Sequence, residues 1–251
     1  MLSSKNARLV AARRLTRRSV RRETGRFLAE GAQAVREALA ADAVEELFAT
    51  PEAMSRYPML AAGASEINAR DAAALSETVA PQGLVAVCRC VDVAPGQALD
   101  GVRLAAVLVE PNDPGNLGAI VRTADAAGAD AVLVCGGVDV YNGKAVRASA
   151  GSLFHVRIAV DADIDAVFDA GLGTLATSGS GDVDLDELIE DATLRGPTAW
   201  LFGSEAHGLQ SDVLARANRT VRIPIYGRAE SLNLAAAAAV CLYASARAQR
   251  R

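Results

Sequence analysis

The stretch Asn112-Asp113-Pro114-Gly115-Asn116-Leu117-Gly118-Ala119-Ile120-Val121-Arg122-Thr123-Ala124 is the most informative part of this chain. It follows an apolar run at 104–109 that predicts a β-strand, and it opens a segment with helical spacing. The apolar residues at 117, 120, 121 and 124 recur at i, i+3, i+4 and i+7, which places them on one helix face. A turn rich in Asn, Asp, Pro and Gly therefore lies at the carboxyl end of a strand, where open α/β sheets bind ligands.

The polar residues of this stretch allow two interpretations. Gly115, Gly118 and Arg122 lie away from the apolar helix face, and the glycines leave backbone open to a close neighbour. Asn116 lies near the helix N-terminus, where its side chain can bind the backbone or a ligand. The stretch is either a capped helix with Arg122 paired to Asp125, or a site whose helix N-terminus binds a phosphate. It contains neither a P-loop nor the glycine fingerprint of a Rossmann fold, which disfavours a nicotinamide-dependent oxidoreductase.

Two later segments share this position at the end of a predicted strand. In 202–209, Gly203 permits close backbone approach and Glu205 supplies an acid at the same sheet edge. In 223–233, Pro224 has no N–H and cannot donate a hydrogen bond to a neighbouring strand. Ser231, later in the same segment, is a good helix N-cap. By themselves, Glu205 and Ser231 are equally well explained as a solvated turn acid and a capping residue.

Composition bounds the class of protein. The chain has 251 residues, of which 51% are apolar and only 4% aromatic, and this suits α/β layers better than a β-sandwich. The net charge of −4 does not suggest a nucleic-acid binder, but residues 1–30 hold nine Lys and Arg against two Glu. A local basic patch can bind phosphates whatever the global charge, the alternative being a solvated helix face. The candidate RNA-binding residues are Arg13, Arg14, Arg17, Arg18, Arg21, Arg22 and Arg26.

Several other classes are disfavoured. Four cysteines, three of them in apolar runs, favour free thiols in a reducing cytosol. His155 is interpreted as a structural residue that begins a strand and His207 as a surface-loop residue, and without a carboxylate cluster no metal site is expected. No apolar run reaches the roughly 18 residues of a membrane helix. The basic N-terminus lacks the apolar region of a secretory signal, so we expect a cytoplasmic protein with no membrane partner.

The order of predicted elements indicates two α/β units. We expect a basic N-terminal extension at 1–20 (with helical spacing over 4–19), a small unit at 21–92, a linker at 93–101 and a larger unit at 102–251. The small unit alternates strands and helices over 26–30, 31–41, 44–49, 51–56, 65–68, 70–77 and 84–91. The larger unit does so over 103–109, 116–127, 130–135, 143–150, 155–160, 162–170, 173–177, 184–190, 198–202, 209–217, 220–225 and 231–248. Strands separated by helices imply right-handed crossovers and a mostly parallel sheet.

Together, the three motifs resemble the SpoU (TrmH-type) branch of the SPOUT RNA methyltransferases. The resemblance rests on Asn-Leu-Gly-Ala-Ile-x-Arg-Thr-Ala at 116–124, Phe-Gly-x-Glu at 202–205 with Gly-Leu at 208–209, and the Ile-Pro to Ser-Leu-Asn block at 223–233. Residues 21–92 resemble, in layout and in the run 26–31, the small L7Ae/L30e-like substrate-binding domain often fused before that catalytic domain. The resemblance implies a C-terminal parallel-sheet SPOUT domain with a deep trefoil knot, and a homodimer whose active site borrows residues across the interface.

The resemblance also implies an activity, namely transfer of a methyl group from S-adenosyl-L-methionine (AdoMet) to a ribose 2′-oxygen of RNA. The extra N-terminal domain favours 23S rRNA as the substrate. A tRNA ribose methyltransferase and a non-catalytic RNA-binding protein on the same fold are the alternatives. The implied active-site residues are Asn116, Arg122, Glu205, Ser231 and Asn233. The implied cofactor-binding residues are Thr177, Ser178, Gly203, Ile223, Ile225 and Leu232.

Two residues depart from the pattern of the family. Ser204 stands where Asn is usual, and Ala206 stands where Gly is usual. Ala206 disfavours a positive φ in that turn, but neither change removes a chemically necessary group.

The implied reaction is mainly a positioning task, because AdoMet is already reactive. A guanidinium, with a pKa above about 12, is a poor base. We therefore expect Arg122 to bind the adjacent phosphate as a fork and so fix the ribose. Asn116, Ser231 and Asn233 would orient the hydroxyl, and Glu205 would fix the rotamer of Arg122 or Asn116.

Overall fold

The computed structural model describes residues 1–78 and 80–250, which form two compact units. The N-terminal unit consists of Met1–Val91 with Asp139–His155, and the C-terminal unit consists of Asp92–Val138 with the chain from Val156 onward. This grouping cuts across the predicted domain at 102–251, because residues 139–155 pack within the N-terminal unit. The rings of Phe27 and Tyr141, for example, lie 4.6 Å apart. Within the described residues, no helix has the length and apolar character needed to cross a bilayer.

Helices and strands alternate along most of the chain. The helices are α1 (Ala7–Arg14), α2 (Arg18–Thr24), α3 (Ala32–Ala40), α4 (Pro51–Arg56), α5 (Ala69–Ala74), α6 (Pro95–Leu99), α7 (Pro114–Ala127), α8 (Gly143–Ser149), α9 (Ile164–Phe168), α10 (Leu185–Glu190), α11 (Ser211–Arg216) and α12 (Leu234–Gln249). The strands are β1 (Arg26–Glu30), β2 (Val44–Ala49), β3 (Ser65–Glu66), β4 (Leu84–Arg89), β5 (Leu104–Val109), β6 (Ala131–Cys135), β7 (Arg157–Ala159), β8 (Gly173–Thr177), β9 (Val183–Asp184), β10 (Thr198–Phe202) and β11 (Arg219–Arg222).

The N-terminal unit is built on a four-stranded sheet of order β1-β4-β2-β3. Strand β4 runs antiparallel to β1 and β2, and β3 runs parallel to β2. The prediction of one helix over 4–19 is wrong, because α1 ends at Arg14 and α2 begins at Arg18. The Thr16 hydroxyl donates to the carbonyl of Arg13 at 3.0 Å within the turn between them. This turn lets Leu15 and Val20 both enter the core that α1 also covers.

The C-terminal unit is built on a seven-stranded sheet of order β7-β6-β5-β10-β8-β11-β9. All of its strand pairs are parallel, which confirms the predicted α/β class. Strands β5, β6 and β10 are buried along their whole length, as expected for a parallel sheet covered on both faces. Helix α12 contacts α7 and strands β5 and β10. The indole N–H of Trp200 on β10 donates to the hydroxyl of Ser245 on α12 at 2.9 Å, inside the core.

Local chemistry explains where the elements differ from the predicted ones. Helix α6 lies inside the predicted linker, because Pro95 at its first position already has a helical φ. Strand β11 ends at Arg222 rather than at 225, because Pro224 has no N–H to donate. Helix α12 begins at 234 rather than at 231, because the capping side chain is that of Asn233 and not that of Ser231.

Parallel pairing gathers the loops that carry the motifs. Strands β5, β10, β8 and β11 are neighbours in that order, so their carboxyl ends meet at one edge of the sheet. The loops that leave this edge begin at 110, 203, 178 and 223, respectively. The three motif segments therefore converge, as open parallel sheets require for a ligand site.

Candidate active site

The carboxylate of Glu205 joins the loop after β10 to the loop after β5. Its Oε2 accepts the backbone N–H of Asn112 at 3.1 Å, and its Oε1 accepts the backbone N–H of Asp113 at 3.3 Å. Its Oε1 also accepts the side-chain Nδ2 of Asn116 at 2.9 Å. Partial burial raises the pKa of Glu205, but the hydrogen bonds from Asn116 and from backbone N–H groups outweigh it and hold that pKa below its usual value. Glu205 is therefore ionised at neutral pH and acts as an anchor.

Asn116 connects Glu205 to the N-terminus of α12. The Nδ2 of Asn233 donates to the Oδ1 of Asn116 at 3.0 Å, so both ends of the Asn116 amide are engaged. The Oδ1 of Asn233 in turn accepts the backbone N–H groups of Ala235 and Ala236 at 2.9 and 3.3 Å. The N-cap of α7 itself is Asp113, whose carboxylate accepts the N–H of Asn116 at 2.8 Å. Three predicted active-site residues thus form one chain of hydrogen bonds.

Arg122 and Ser231 lie outside this hydrogen-bonded chain. Ser231 is exposed and lines the cavity described below, and its hydroxyl bonds to no residue in 1–78 or 80–250. Arg122 is exposed on α7 and does not line the cavity, and its guanidinium has no hydrogen bond or ion pair within the same described ranges. The structure therefore gathers four of the five predicted active-site residues and leaves Arg122 apart from them.

A cavity of about 870 Å³ opens beside Glu205 and Asn233. This volume falls within the range of small-molecule sites, roughly 300 to 1,000 Å³. The loops after β8, β10 and β11 form its walls. All six predicted cofactor residues line it, namely Thr177, Ser178, Gly203, Ile223, Ile225 and Leu232.

The tight turn after β10 requires glycine at its first residue. A Cβ added to Gly203 would lie 2.1 Å from the carbonyl carbon of Gly208, so no other residue fits. The turn closes through paired hydrogen bonds between Ser204 and Gly208, of 2.9 and 3.2 Å. The positive φ of this turn falls on Gly208, at +67°, so Ala206 is tolerated. The departure from the family pattern at 206 therefore costs the turn nothing.

Sequence reasoning missed a second set of residues that shape the cavity. Arg222 forms two hydrogen bonds with Asp184, of 2.8 and 3.0 Å. The hydroxyl of Tyr226 donates to Asp186 at 2.8 Å. Tyr226 and Glu230 both line the cavity, on the loop that also carries Ser231. The sequence did show an aromatic residue, Tyr226, in a polar loop after Pro224. It did not show that Asp186, forty residues away, is the partner of Tyr226.

The predicted basic surface is smaller than the count of arginines indicates. Arg21 is only 4% exposed, and it forms an ion pair of 2.7 Å with Asp139 and donates to the carbonyls of Leu15 and Thr16. Its prediction as an RNA-binding residue is therefore corrected, because its donors are used inside the fold. Arg13 pairs with the buried Asp71, and Arg26 pairs with Glu45. The exposed arginines of the predicted set are Arg14, Arg17, Arg18, Arg22 and Arg26.

No histidine or cysteine of the described residues is among those that line the cavity. His155 ends a 3₁₀ turn at 152–154 and does not begin a strand, since β7 starts two residues later. Burial raises the pKa of the Cys88 and Cys135 thiols to about 12, which makes them unreactive at neutral pH. In the part of the chain that the structure describes, no cluster of three or more His, Cys, Asp or Glu could hold a metal ion.

Comparison with known proteins identifies two family matches and a full-length relative. The sequence profile of the SpoU rRNA Methylase family matches residues 103–243, and that of the MRM3-like substrate binding domain matches residues 6–86. The chain is 32% identical to the 23S rRNA (guanosine(2553)-2'-O)-methyltransferase RlmP of Bacillus subtilis (strain 168) over 247 residues, 96% of each protein.

Two further relatives bear on the site and the substrate. The crystal structure of the SpoU methyltransferase AviRb from Streptomyces viridochromogenes, in complex with AdoMet, is 30% identical with a TM-score of 0.82 over 98% of both chains. The tRNA (guanosine(18)-2'-O)-methyltransferase of Thermus thermophilus is 38% identical over 151 residues, which cover 57% of this chain and 74% of that protein.

Proposed function

Because the chain belongs to the SpoU rRNA methylase family, as its motifs predicted, we propose that it transfers a methyl group from AdoMet to a ribose 2′-hydroxyl of 23S rRNA. The hydrogen-bonded chain from Glu205 through Asn116 to Asn233 carries this proposal. Its two ends line the cavity that holds all six candidate cofactor residues. A positioned polar network beside a small-molecule cavity is what methyl transfer to a hydroxyl requires.

The residues of the cavity fit AdoMet. When bound, AdoMet supplies an activated methyl group on a positively charged sulfonium. Ile223, Ile225 and Leu232 offer apolar contacts for the adenosyl group. The carboxylates of Glu205 and Glu230 give the wall a negative charge that favours a cation.

The polar network positions the ribose. In the reaction its 2′-oxygen would form a bond to the methyl carbon as the bond from that carbon to sulfur breaks, and the 2′-hydroxyl proton would pass to solvent. Glu205 has a lowered pKa, which makes it a weak base, and it accepts three N–H donors, so we assign it a positioning role. It fixes the amide of Asn116, and Asn233 fixes the same amide from the other side. The hydroxyl of Ser231 has no protein partner among the described residues and is available to orient the 2′-hydroxyl.

Arg122 completes the site in our proposal by binding the phosphate next to the target ribose. Its guanidinium is exposed and unpaired within the described residues, so no internal bond has to break first. A fork of N–H donors holds a phosphate in two-point contact, which a lysine cannot reproduce. Arg122→Lys should therefore lower the rate of methyl transfer at least tenfold, and a rate close to that of the native protein would contradict the clamp.

A homodimer explains why Arg122 does not line the cavity of its own chain. On α12, Val240 and Tyr243 are 42% and 52% exposed and lie on one helix face. On α7, Arg122 and Ala126 are exposed and lie one helical turn apart on one face. We infer that these faces of the packed pair α7 and α12 meet their copies and bring Arg122 to the partner's cavity. Tyr243→Asp should then give monomers in analytical ultracentrifugation that transfer no methyl group.

Charge places the RNA-binding surface on the N-terminal unit, and the coverage of the relatives favours rRNA over tRNA as the substrate. Residues 1–91 and 139–155 hold 15 Lys and Arg against 11 Asp and Glu, a net charge of +4, whereas the C-terminal unit holds 11 against 19, a net charge of −8. RNA affinity should therefore reside in the N-terminal unit. The rRNA relative matches 96% of this chain, whereas the tRNA relative matches 57% of it. A protein that acts on rRNA works where ribosomes assemble, so we place it in the cytoplasm.

The test is methyl transfer to two RNA pools. The protein is incubated with methyl-labelled AdoMet and either an unmodified 23S rRNA transcript or an unmodified tRNA pool. We expect label in the 23S transcript and none in tRNA. Label only in tRNA would show that tRNA, and not 23S rRNA, is the substrate. The absence of AdoMet binding in calorimetry would overturn the proposal that the protein is a methyltransferase.

A further inference from the structure

We propose that Tyr226 is a stacking platform for a base of the substrate RNA at the mouth of the cofactor cavity. Tyr226 is 87% exposed, the highest value among the large apolar and aromatic residues of the described chain. It nevertheless lines the cavity, on the loop between β11 and α12 that carries Ser231. The inference rests on the proposed function and adds to it a residue that positions the RNA.

A tether holds this exposed ring in place. The hydroxyl of Tyr226 donates to Asp186 in the first turn of α10 at 2.8 Å. Four residues earlier, Arg222 is bound through two hydrogen bonds to Asp184, so the start of the loop is fixed to the same segment. A tethered ring has little rotational entropy left to lose, and this is the property of a preformed binding platform.

Charge explains why a neutral contact is needed here. The C-terminal unit has a net charge of −8, and the carboxylates that line the cavity (Asp184, Glu205 and Glu230) outnumber its one lining cation, Arg222, so this wall offers little attraction to phosphates. Stacking on an aromatic ring, worth roughly 1–3 kcal/mol per base, does not depend on charge. The hydrogen bond to Asp186 and the charge of Asp186 also raise the pKa of Tyr226, so the phenol stays neutral.

The high exposure of Tyr226 favours a role in stacking on a base over a role as a lid on the cofactor. Ile225 and Leu232, which also line the cavity, are 38% and 39% exposed, so more than half of each side chain is already covered by the protein. Tyr226, at 87%, is almost wholly exposed, so its ring is open to a base that approaches the cavity. The ring is therefore placed for the nucleic acid and not for the adenosyl group.

The experiment compares Tyr226→Leu with Tyr226→Phe, which keeps the ring and loses only the tether. Binding of an unmodified 23S rRNA transcript and binding of AdoMet are measured separately for each protein. We expect the leucine variant to bind the transcript roughly tenfold more weakly and the phenylalanine variant within about threefold of the native protein. AdoMet affinity should be unchanged in both. The slope of log K against log salt should also stay that of the native protein, because no phosphate contact is lost.

A fluorescence signal tests the stacking itself. Tyr226→Trp places an indole at the mouth of the cavity, and the chain's own Trp200 is fully buried. Titration with the same transcript and S-adenosylhomocysteine should quench the new emission.

Native RNA affinity in Tyr226→Leu, or a loss confined to AdoMet binding, would overturn the proposal. If the native protein methylates no RNA, the proposed function fails instead, so the two failures are distinguishable.

Discussion

Replacement of Glu205 by glutamine tests how the network holds the site. In the native protein, Oε1 accepts two N–H donors and Oε2 accepts one. Glutamine keeps one oxygen and presents an NH₂ group in place of the other, so at least one donor loses its acceptor. A hydrogen bond to a charged group contributes about 1.5–3 kcal/mol, and partial exposure reduces this here to about 1–2 kcal/mol. If that energy positions Asn116 for the reaction, kcat/KM should fall roughly 5- to 30-fold.

The assay is methyl transfer to the 23S rRNA transcript, with Glu110→Gln as the matched control. Glu110 is an exposed residue that follows β5, and among residues 1–78 and 80–250 its carboxylate accepts a hydrogen bond only from the side chain of Gln210, at 3.3 Å. Stability adds a second readout. The folded pKa of Glu205 lies below its ordinary value of 4.5. The ionised carboxylate therefore stabilises the folded protein above pH 4.5, and this stabilisation is lost as the pH falls through the folded pKa. The difference in unfolding free energy between the native protein and Glu205→Gln should therefore shrink below about pH 4.5. If the two glutamine variants have equal activities, the positioning role is refuted.

Three further predictions concern particular contacts. Asn233→Ala and Asn142→Ala each remove a helix N-cap worth about 0.5–2 kcal/mol. Only Asn233→Ala should abolish methyl transfer, since Asn142 caps α8 in the N-terminal unit. Equal activities of the two variants would contradict this. Ser245→Ala should lower the urea unfolding free energy by about 1–3 kcal/mol, because it leaves a buried indole N–H unpaired, and an unchanged midpoint would refute the contact. Arg21→Ala should destabilise the protein by about 3–5 kcal/mol, because it leaves Asp139 without its ion-pair partner. Arg17→Ala should leave stability unchanged and reduce the slope of log K for RNA binding against log salt by about one. The reverse pattern would show that Arg21 binds RNA.

The parts of the fold that follow from local chemistry could be predicted from the sequence. The apolar face of α7 is visible in the spacing of Leu117, Ile120, Val121 and Ala124, and all four are buried. The parallel sheet follows from the alternation of strands and helices. The break between α1 and α2 was missed, since helical spacing by itself does not show where the chain must turn toward a core. The trefoil knot, which only the resemblance implies, stays a prediction.

The parts that depend on distant partners could not be predicted. Arg21 pairs with a carboxylate 118 residues away, so a count of arginines placed it on the surface when it is buried. The hydrogen bond between Asn116 and Asn233 spans 117 residues, and only the family resemblance predicted that both residues belong to one site. Tyr226 and Asp186 are forty residues apart, and no resemblance pointed to them. Local patterns predict elements, whereas the network that makes a site arises from loops of separate strands at one sheet edge.

The position of the transferred methyl group tests the central claim most directly. After incubation with methyl-labelled AdoMet, the 23S rRNA transcript is hydrolysed with alkali, which cannot cleave the bond next to a 2′-O-methylated ribose. We predict that the label is recovered in an alkali-stable dinucleotide, and that Asn233→Ala yields none. Label recovered on a mononucleotide base would contradict transfer to the ribose and, with it, the role assigned to the network of Glu205, Asn116 and Asn233.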